Sequence, residues 1–142
     1  MANNTDAQIR HIFEEWHNTI VRGDFEALMA LYADDAVLES PTVVAAMPGR
    51  ADGVLRGRDQ IGAFFSGIVG KMQKDFGRLF RDGTYFSNGS VLIFEYRRAA
   101  PNGDQLDLVE SMDIENGLIA YHRVYWGWKG YQALIAATRN AP

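Results

Sequence analysis

The chain contains no cysteine. Disulfides, thiolate metal sites, iron–sulfur clusters and a cysteine nucleophile are therefore excluded. It also lacks a basic surplus: 14 Lys and Arg stand against 18 Asp and Glu, a net charge of −4. Little is available to neutralise a phosphate backbone, which argues against nucleic-acid binding. No apolar run approaches the roughly 20 residues that span a bilayer. The first residues, Met1 to Asp6, show neither a basic region nor an apolar one, so no secretory leader is visible. The expectation is a soluble cytoplasmic protein with neither nucleic acid nor membrane as partner. Histidines number only 3. His11 and His17 stand about 240° apart around a helix, so no metal site is expected. Gly62, Gly67 and Gly70 fall inside a helical pattern rather than at a strand-to-helix turn, so no dinucleotide fingerprint is present. A nucleophile elbow of the Gly-x-Ser-x-Gly type is also missing.

What remains is a chain of 142 residues, 47% hydrophobic and 12% aromatic. That suffices for one domain over residues 1–142 with a real core, and the aromatics favour an apolar cavity or interface. Thr5 and Gln8 fit a capping box. Ile9, Ile12, Phe13, Trp16 and Ile20 then recur at helical spacing, which predicts a helix over 6–21. Gly23 stops it, and Asp24 caps a second helix over 24–32. Ala36–Ser40 reads as a short strand, with Asp34 and Asp35 before it as turn and cap residues. The stretch 41–57, with two prolines and three glycines, reads as a long irregular loop and a candidate lid. Asp59 caps a third helix over 59–74, with Ile61, Phe64, Phe65, Ile68 and Met72 on one face. Four strand-like runs follow, over 79–86, 91–99, 105–114 and 118–128, and 131–137 closes the chain as a short helix. Helices first and strands after is an α+β pattern.

Two turns set a register. Pro101-Asn102-Gly103 suits a three-residue loop, which places Tyr96 opposite Leu108, Phe94 opposite Glu110 and Leu92 opposite Met112. On the other face it sets Arg97 against Asp107. The same kind of loop at Glu115-Asn116-Gly117 places Met112 opposite Ala120, Glu110 opposite His122 and Leu108 opposite Val124. One sheet face is then apolar except for Glu110 and His122, directly paired. An apolar pocket favours the neutral form of a carboxylate, and a neighbouring histidine favours the ionised form. Such a pair in a cleft is a general acid–base candidate. The other readings are a buried pair that only satisfies itself, or a register wrong by one residue that turns both groups to solvent.

The string Gly23-Asp24-Phe25-Glu26-Ala27-Leu28, then Leu31-Tyr32-Ala33-Asp34-Asp35-Ala36-Val37, resembles the opening of nuclear transport factor 2-like proteins. Gly57-Arg58-Asp59-Gln60-Ile61 and Ile119 through Trp126 continue the likeness. Within that superfamily the chain is most similar to the SnoaL-like polyketide cyclases and the ketosteroid isomerases. The resemblance implies a cone-shaped α+β barrel, with three N-terminal helices packed on a curved mixed, mainly antiparallel sheet around a deep apolar pocket. It also implies a homodimer through the outer sheet face, where Val109, Ser111, Tyr121, Arg123 and Tyr125 are expected. On the isomerase pattern Glu110 falls on the oxyanion-stabilising acid. The general base, however, falls on Ser40 and the oxyanion-hole tyrosine on Trp16, so true isomerase activity is disfavoured. The catalytic sets of limonene epoxide hydrolases and scytalone dehydratase do not map either.

The expected function is acid–base chemistry on a small apolar, carbonyl-bearing or polycyclic substrate, as a cyclase, isomerase or dehydratase without a cofactor. Glu110, His122 and Tyr32 are the candidate catalytic residues. Trp16, Ser40, Phe64, Phe94, Tyr96, Leu108, Met112, Val124 and Trp126 are the candidate substrate contacts. The alternative is a non-catalytic ligand-binding or dimeric assembly module. A third reading is the β subunit of a larger oxygenase, dependent on an iron-bearing partner.

Overall fold

The computed structural model describes residues 4–98 and 103–139. Helix α1 (Asp6–Arg22) begins as its sequence dictates. The Thr5 hydroxyl accepts from Gln8 N at 3.1 Å, and the Gln8 side chain accepts from Thr5 N at 2.8 Å. It ends on Gly23 in the left-handed conformation. Its apolar stripe, Ile9, Ile12, Phe13, Trp16 and Ile20, is buried. Helix α2 (Phe25–Met29) is shorter than expected, because Ala30 and Leu31 already turn the chain into strand β1 (Tyr32–Glu39). That strand starts four residues before the expected one, so Asp34 and Asp35 lie within it. Asp34 is held there by an ion pair to Arg58.

Residues 41–57 are not an irregular loop. They form helix α3 (Pro41–Ala46) and strand β2 (Val54–Arg56). The cause is legible: Ser40 caps the helix through Thr42 N at 3.2 Å, and proline occupies the first helical position. Helix α4 (Arg58–Phe76) follows. Of the run 79–86, only its end pairs, as β3 (Tyr85–Ser87). Strands β4 (Val91–Tyr96), β5 (Leu108–Glu115) and β6 (Leu118–Trp126) make an antiparallel meander, and α5 (Trp128–Arg139) closes the described chain.

The six strands form one sheet in the order β2-β1-β6-β5-β4-β3. Every neighbouring pair is antiparallel except β1 with β6, which run parallel. This is the α+β architecture expected, with α3 added to the three anticipated N-terminal helices and the short closing helix over 131–137 lengthened to Trp128–Arg139. Strand β4 pairs with β5 as the turn chemistry indicated, Tyr96 facing Leu108, Phe94 facing Glu110 and Leu92 facing Met112. The Pro101-Asn102 turn itself lies outside the described residues. The ladder stops at Tyr96, so Arg97 does not meet Asp107. Arg97 instead pairs with Asp82 at 2.8 Å, and Arg98 with Asp107 at 2.9 Å.

The β5–β6 register differs from the expected one, and the difference is instructive. Glu115 faces Leu118, leaving a two-residue loop of Asn116 and Gly117 with φ 52° and 75°. Both positive angles fit the tight hairpin turn that Asn-Gly favours. That loop alone displaces β6 by one residue, which would turn its inward side chains outward. Ala120 is then bypassed as a bulge between Ile119 and Tyr121. The second displacement restores parity. Met112 therefore faces His122 and Glu110 faces Val124, while both titratable groups keep the inner face.

Helix α5 is seated by Asp107, at the entrance to β5. The Asp107 carboxylate accepts from Gly130 N at 2.8 Å, and its carbonyl accepts from Gly127 N at 2.8 Å. A Cβ at residue 130 would lie 2.9 Å from the Asp107 carbonyl oxygen and 2.5 Å from the Trp126 ring. Backbone cannot yield cheaply, so Gly130→Ala is expected to cost about 1–3 kcal/mol. Thermal unfolding measures it; an unchanged midpoint would mean that α5 does not dock through this contact.

Among the described residues no helix is long and apolar enough to cross a membrane. On the outer sheet face Tyr121 donates to Glu39 at 2.8 Å and Arg123 pairs with Asp113 at 2.6 Å. Tyr125 is exposed there, whereas Ser111 is buried.

Candidate functional site

A cavity of about 810 Å³ opens between the inner sheet face and helices α3, α4 and α5. Ligand clefts typically measure about 300–1,000 Å³. Its inner wall carries Glu110 and His122, with Leu108, Val124 and Trp126 beside them. Trp16, Ser40 and Phe64 also line it. Exposed charged groups stand at its rim, among them the ion pair of Lys71 and Asp75 at 2.6 Å.

The sequence placed Glu110 and His122 directly opposite each other; they meet on the diagonal instead. Diagonal cross-strand neighbours are within reach of long side chains, and Nε2 of His122 lies 2.5 Å from Oε2 of Glu110. Both residues are buried, at 1% and 2% exposure. The other carboxylate oxygen, Oε1, accepts no hydrogen bond from the described residues. Nδ1 of His122 lies 2.8 Å from the Tyr32 hydroxyl, and that hydroxyl accepts from the Trp16 indole N–H at 3.0 Å. Four residues from α1, β1, β5 and β6 thus form one buried chain ending on the cavity wall. Burial pushes the Tyr32 phenol well above its ordinary pKa; the Trp16 hydrogen bond opposes this and the Glu110 charge adds to it. It is a neutral phenol at any ordinary pH.

The structure divides the expected substrate contacts. Trp16, Ser40, Phe64, Leu108, Val124 and Trp126 line the cavity; Phe94, Tyr96 and Met112 do not. Phe94 is taken up by aromatic packing, its ring centroid 5.2 Å from Phe13 and 6.1 Å from Trp16. Tyr96 turns its hydroxyl to Nδ1 of His17 at 2.8 Å, and Met112 is fully buried. Tyr32 is likewise absent from the cavity wall and stands behind His122. The indole N–H of Trp16 is committed to Tyr32, and Ser40 is committed to capping α3, so neither serves as the isomerase group it aligns with. The Trp126 indole N–H is buried without a partner among the described residues.

The reading of 41–57 as a loop concealed Thr42, Ala45 and Ala46 of α3, which line the cavity. Ala133, Leu134 and Ala137 of α5 also line it. Their spacing marks one helical face, a signal present in the sequence. Among the described residues no group of three or more His, Asp or Glu is placed to hold a metal ion.

His17 belongs to a separate cluster. Burial and then the Arg81 charge push its imidazole down from 6.5 to about 4. The unfolded chain therefore binds the extra proton first as pH falls. His17's contribution to stability is complete above about pH 6.5 and is lost between there and about pH 4. Melting temperature followed from pH 7 to pH 4 is expected to fall less steeply in His17→Gln than in the wild type; equal slopes would contradict this.

The SnoaL-like domain family matches residues 13–122. Among solved structures, a SnoaL-like protein of unknown function from Burkholderia thailandensis superposes with a TM-score of 0.61 at 18% identity, over 87% of this chain and 97% of that one. An NTF-2 like protein of unknown function from Burkholderia xenovorans gives 0.61 at 24% identity, over 86% and 84%. An NTF2-like protein of unknown function from Burkholderia pseudomallei gives 0.64 at 18% identity, over 90% and 97%. These likenesses carry the fold and no chemistry. No curated protein matches the sequence.

Proposed function

The chain belongs to the SnoaL-like family, and we propose that it is a cofactor-independent acid–base enzyme acting on a small apolar, carbonyl-bearing or polycyclic substrate. One observation carries this reading: Glu110, which lines the cavity, is buried and hydrogen-bonded to histidine through one carboxylate oxygen at 2.5 Å, while its other oxygen has no donor among the described residues. A carboxylate held in that way is oriented toward whatever occupies the cavity. The apolar neighbours Phe64, Leu108 and Val124 suit a hydrocarbon or aromatic body. Reactions within reach are those that begin by removing a proton beside a carbonyl: isomerisation, cyclisation by an enolate, or dehydration.

Deuterium exchange tests the proposal without knowledge of the natural substrate. A panel of aryl and polycyclic ketones is incubated with the full chain in D2O, and label on the carbon beside the carbonyl is read by mass spectrometry. Binding is read in parallel from tryptophan fluorescence, since Trp16 and Trp126 line the cavity. Enzyme-dependent exchange supports the proposal. Binding without exchange across the panel overturns it in favour of a ligand-binding module. We also propose that the chain forms a homodimer through the outer sheet face around Tyr125; a monomeric mass by light scattering would refute this.

A further inference from the structure

We infer that Trp16 and Tyr32 are positioning residues that hold the proton of His122 on Nε2, and thereby leave the Glu110 carboxylate rather than the imidazole as the proton acceptor of the site. This deepens, and rests on, the acid–base reading of the same cavity.

An indole N–H donates and cannot accept. Trp16 Nε1 lies 3.0 Å from the Tyr32 oxygen, so that oxygen is the acceptor of this contact. A phenol has one hydrogen of its own. The other polar atom beside it is Nδ1 of His122, at 2.8 Å. Were Nδ1 protonated, the Tyr32 oxygen would face two donors, and its own hydrogen would have no acceptor at a residue with 0% exposure. Buried polar hydrogens are rarely left in that state. The phenol therefore donates to Nδ1, and a neutral imidazole with a bare Nδ1 carries its hydrogen on Nε2. That hydrogen points at Oε2 of Glu110, 2.5 Å away. A protonated Glu110 donating to Nε2 would force the hydrogen onto Nδ1 and fails on the same ground. The asymmetry comes from Trp16: a residue able to accept at that position would leave the direction of the chain open.

The chemistry follows from the direction. A substrate C–H bond breaks, its electron pair stays on the substrate as an enolate, and the proton forms an O–H bond at Oε1 of Glu110. His122 keeps its single Nε2 hydrogen and stays neutral throughout. Returning the proton from Oε1 to another carbon completes an isomerisation. Trp16 and Tyr32 need not touch the substrate through their polar atoms.

The test is a long-range proton–nitrogen NMR correlation on the full chain labelled with ¹⁵N-histidine at neutral pH. His11→Gln and His17→Gln identify two of the three imidazoles and leave His122 assigned. The wild type is expected to show a protonated Nε2 and an unprotonated, hydrogen-bonded Nδ1. In Tyr32→Phe and Trp16→Phe that single tautomer is expected to give way to a mixture, while the His17 signals stay in place and report an intact core. A protonated Nδ1 in the wild type overturns the inference, even if neither variant folds. Retention of the wild-type tautomer in both folded variants overturns it equally. The readout is independent of turnover: ketone exchange with a protonated Nδ1 sinks this inference alone, and a fixed tautomer without exchange sinks the enzymatic reading alone.

Discussion

Glu110→Gln is expected to lower ketone deuterium exchange by about 10²–10⁴-fold, the usual contribution of one positioned acid–base group, while the fold survives. Glutamine has nearly the shape of glutamate, so the apolar wall formed by Leu108 and Val124 need not repack. The Nε2–H of His122 requires an acceptor, which orients the amide: its carbonyl takes the place of Oε2, 2.5 Å from Nε2, and its NH2 takes the place of Oε1. An amide nitrogen there cannot accept a proton at neutral pH. The substitution thus removes the proposed base and leaves its support in place. Glu110→Ala differs, because it strands the buried Nε2–H at a cost of about 1–3 kcal/mol. Exchange rates and urea midpoints measured on both variants separate the two effects. Exchange by Glu110→Gln within a few-fold of wild type would remove Glu110 from the mechanism and shift attention to His122, which also lines the cavity.

The inner-face position of Glu110 and His122 was legible because a strand's side chains alternate, so any even error in register preserves the face. Their partners across β5 and β6 were not legible, whereas Phe94 opposite Glu110 was. The two-residue Asn116-Gly117 loop was open to a local rule, since Asn-Gly is the strongest signal for it. The bypass of Ala120 had no local signal; it follows from the need to keep Ile119, His122 and Met112 buried together. Helix α3 was written in Ser40-Pro41, a cap followed by a first-turn proline, but the glycines after it weigh the segment toward a loop. The stripe of α1 predicted that Trp16 is buried, and Tyr32 follows the same logic at the start of β1. That their polar atoms meet each other and His122 depends on the parallel pairing of β1 with β6, which sets Leu38 beside His122. Such long-range pairing has no period to read. The seating of α5 by Asp107 is of the same kind, because it joins residues 23 positions apart in sequence.

Trp16→Ala is expected to cost about 3–5 kcal/mol of stability, a fall in melting temperature on the order of 10 °C for a chain of this size. The indole is 1% exposed and wedged among Phe76, Phe94 and His122, with ring centroids at 5.7, 6.1 and 5.4 Å. Alanine removes those contacts and the donor to Tyr32 together. The void would merge with the existing cavity, because Trp16 already forms part of its wall. Water or ligand entering it recovers some of the loss, which argues for the lower half of the range. Trp16→Phe separates the two contributions: it keeps most of the apolar surface and deletes the N–H, so about 1 kcal/mol is expected. Urea unfolding measures both, with an unchanged slope confirming that only stability has moved. A loss below about 1 kcal/mol for alanine would mean that the α1 stripe is not anchored to the sheet through this ring. Equal losses for alanine and phenylalanine would assign the stability to the hydrogen bond rather than to the packing. The predicted order, alanine well below phenylalanine, makes Trp16 a structural wedge by its ring, its single N–H adding the smaller part of the stability.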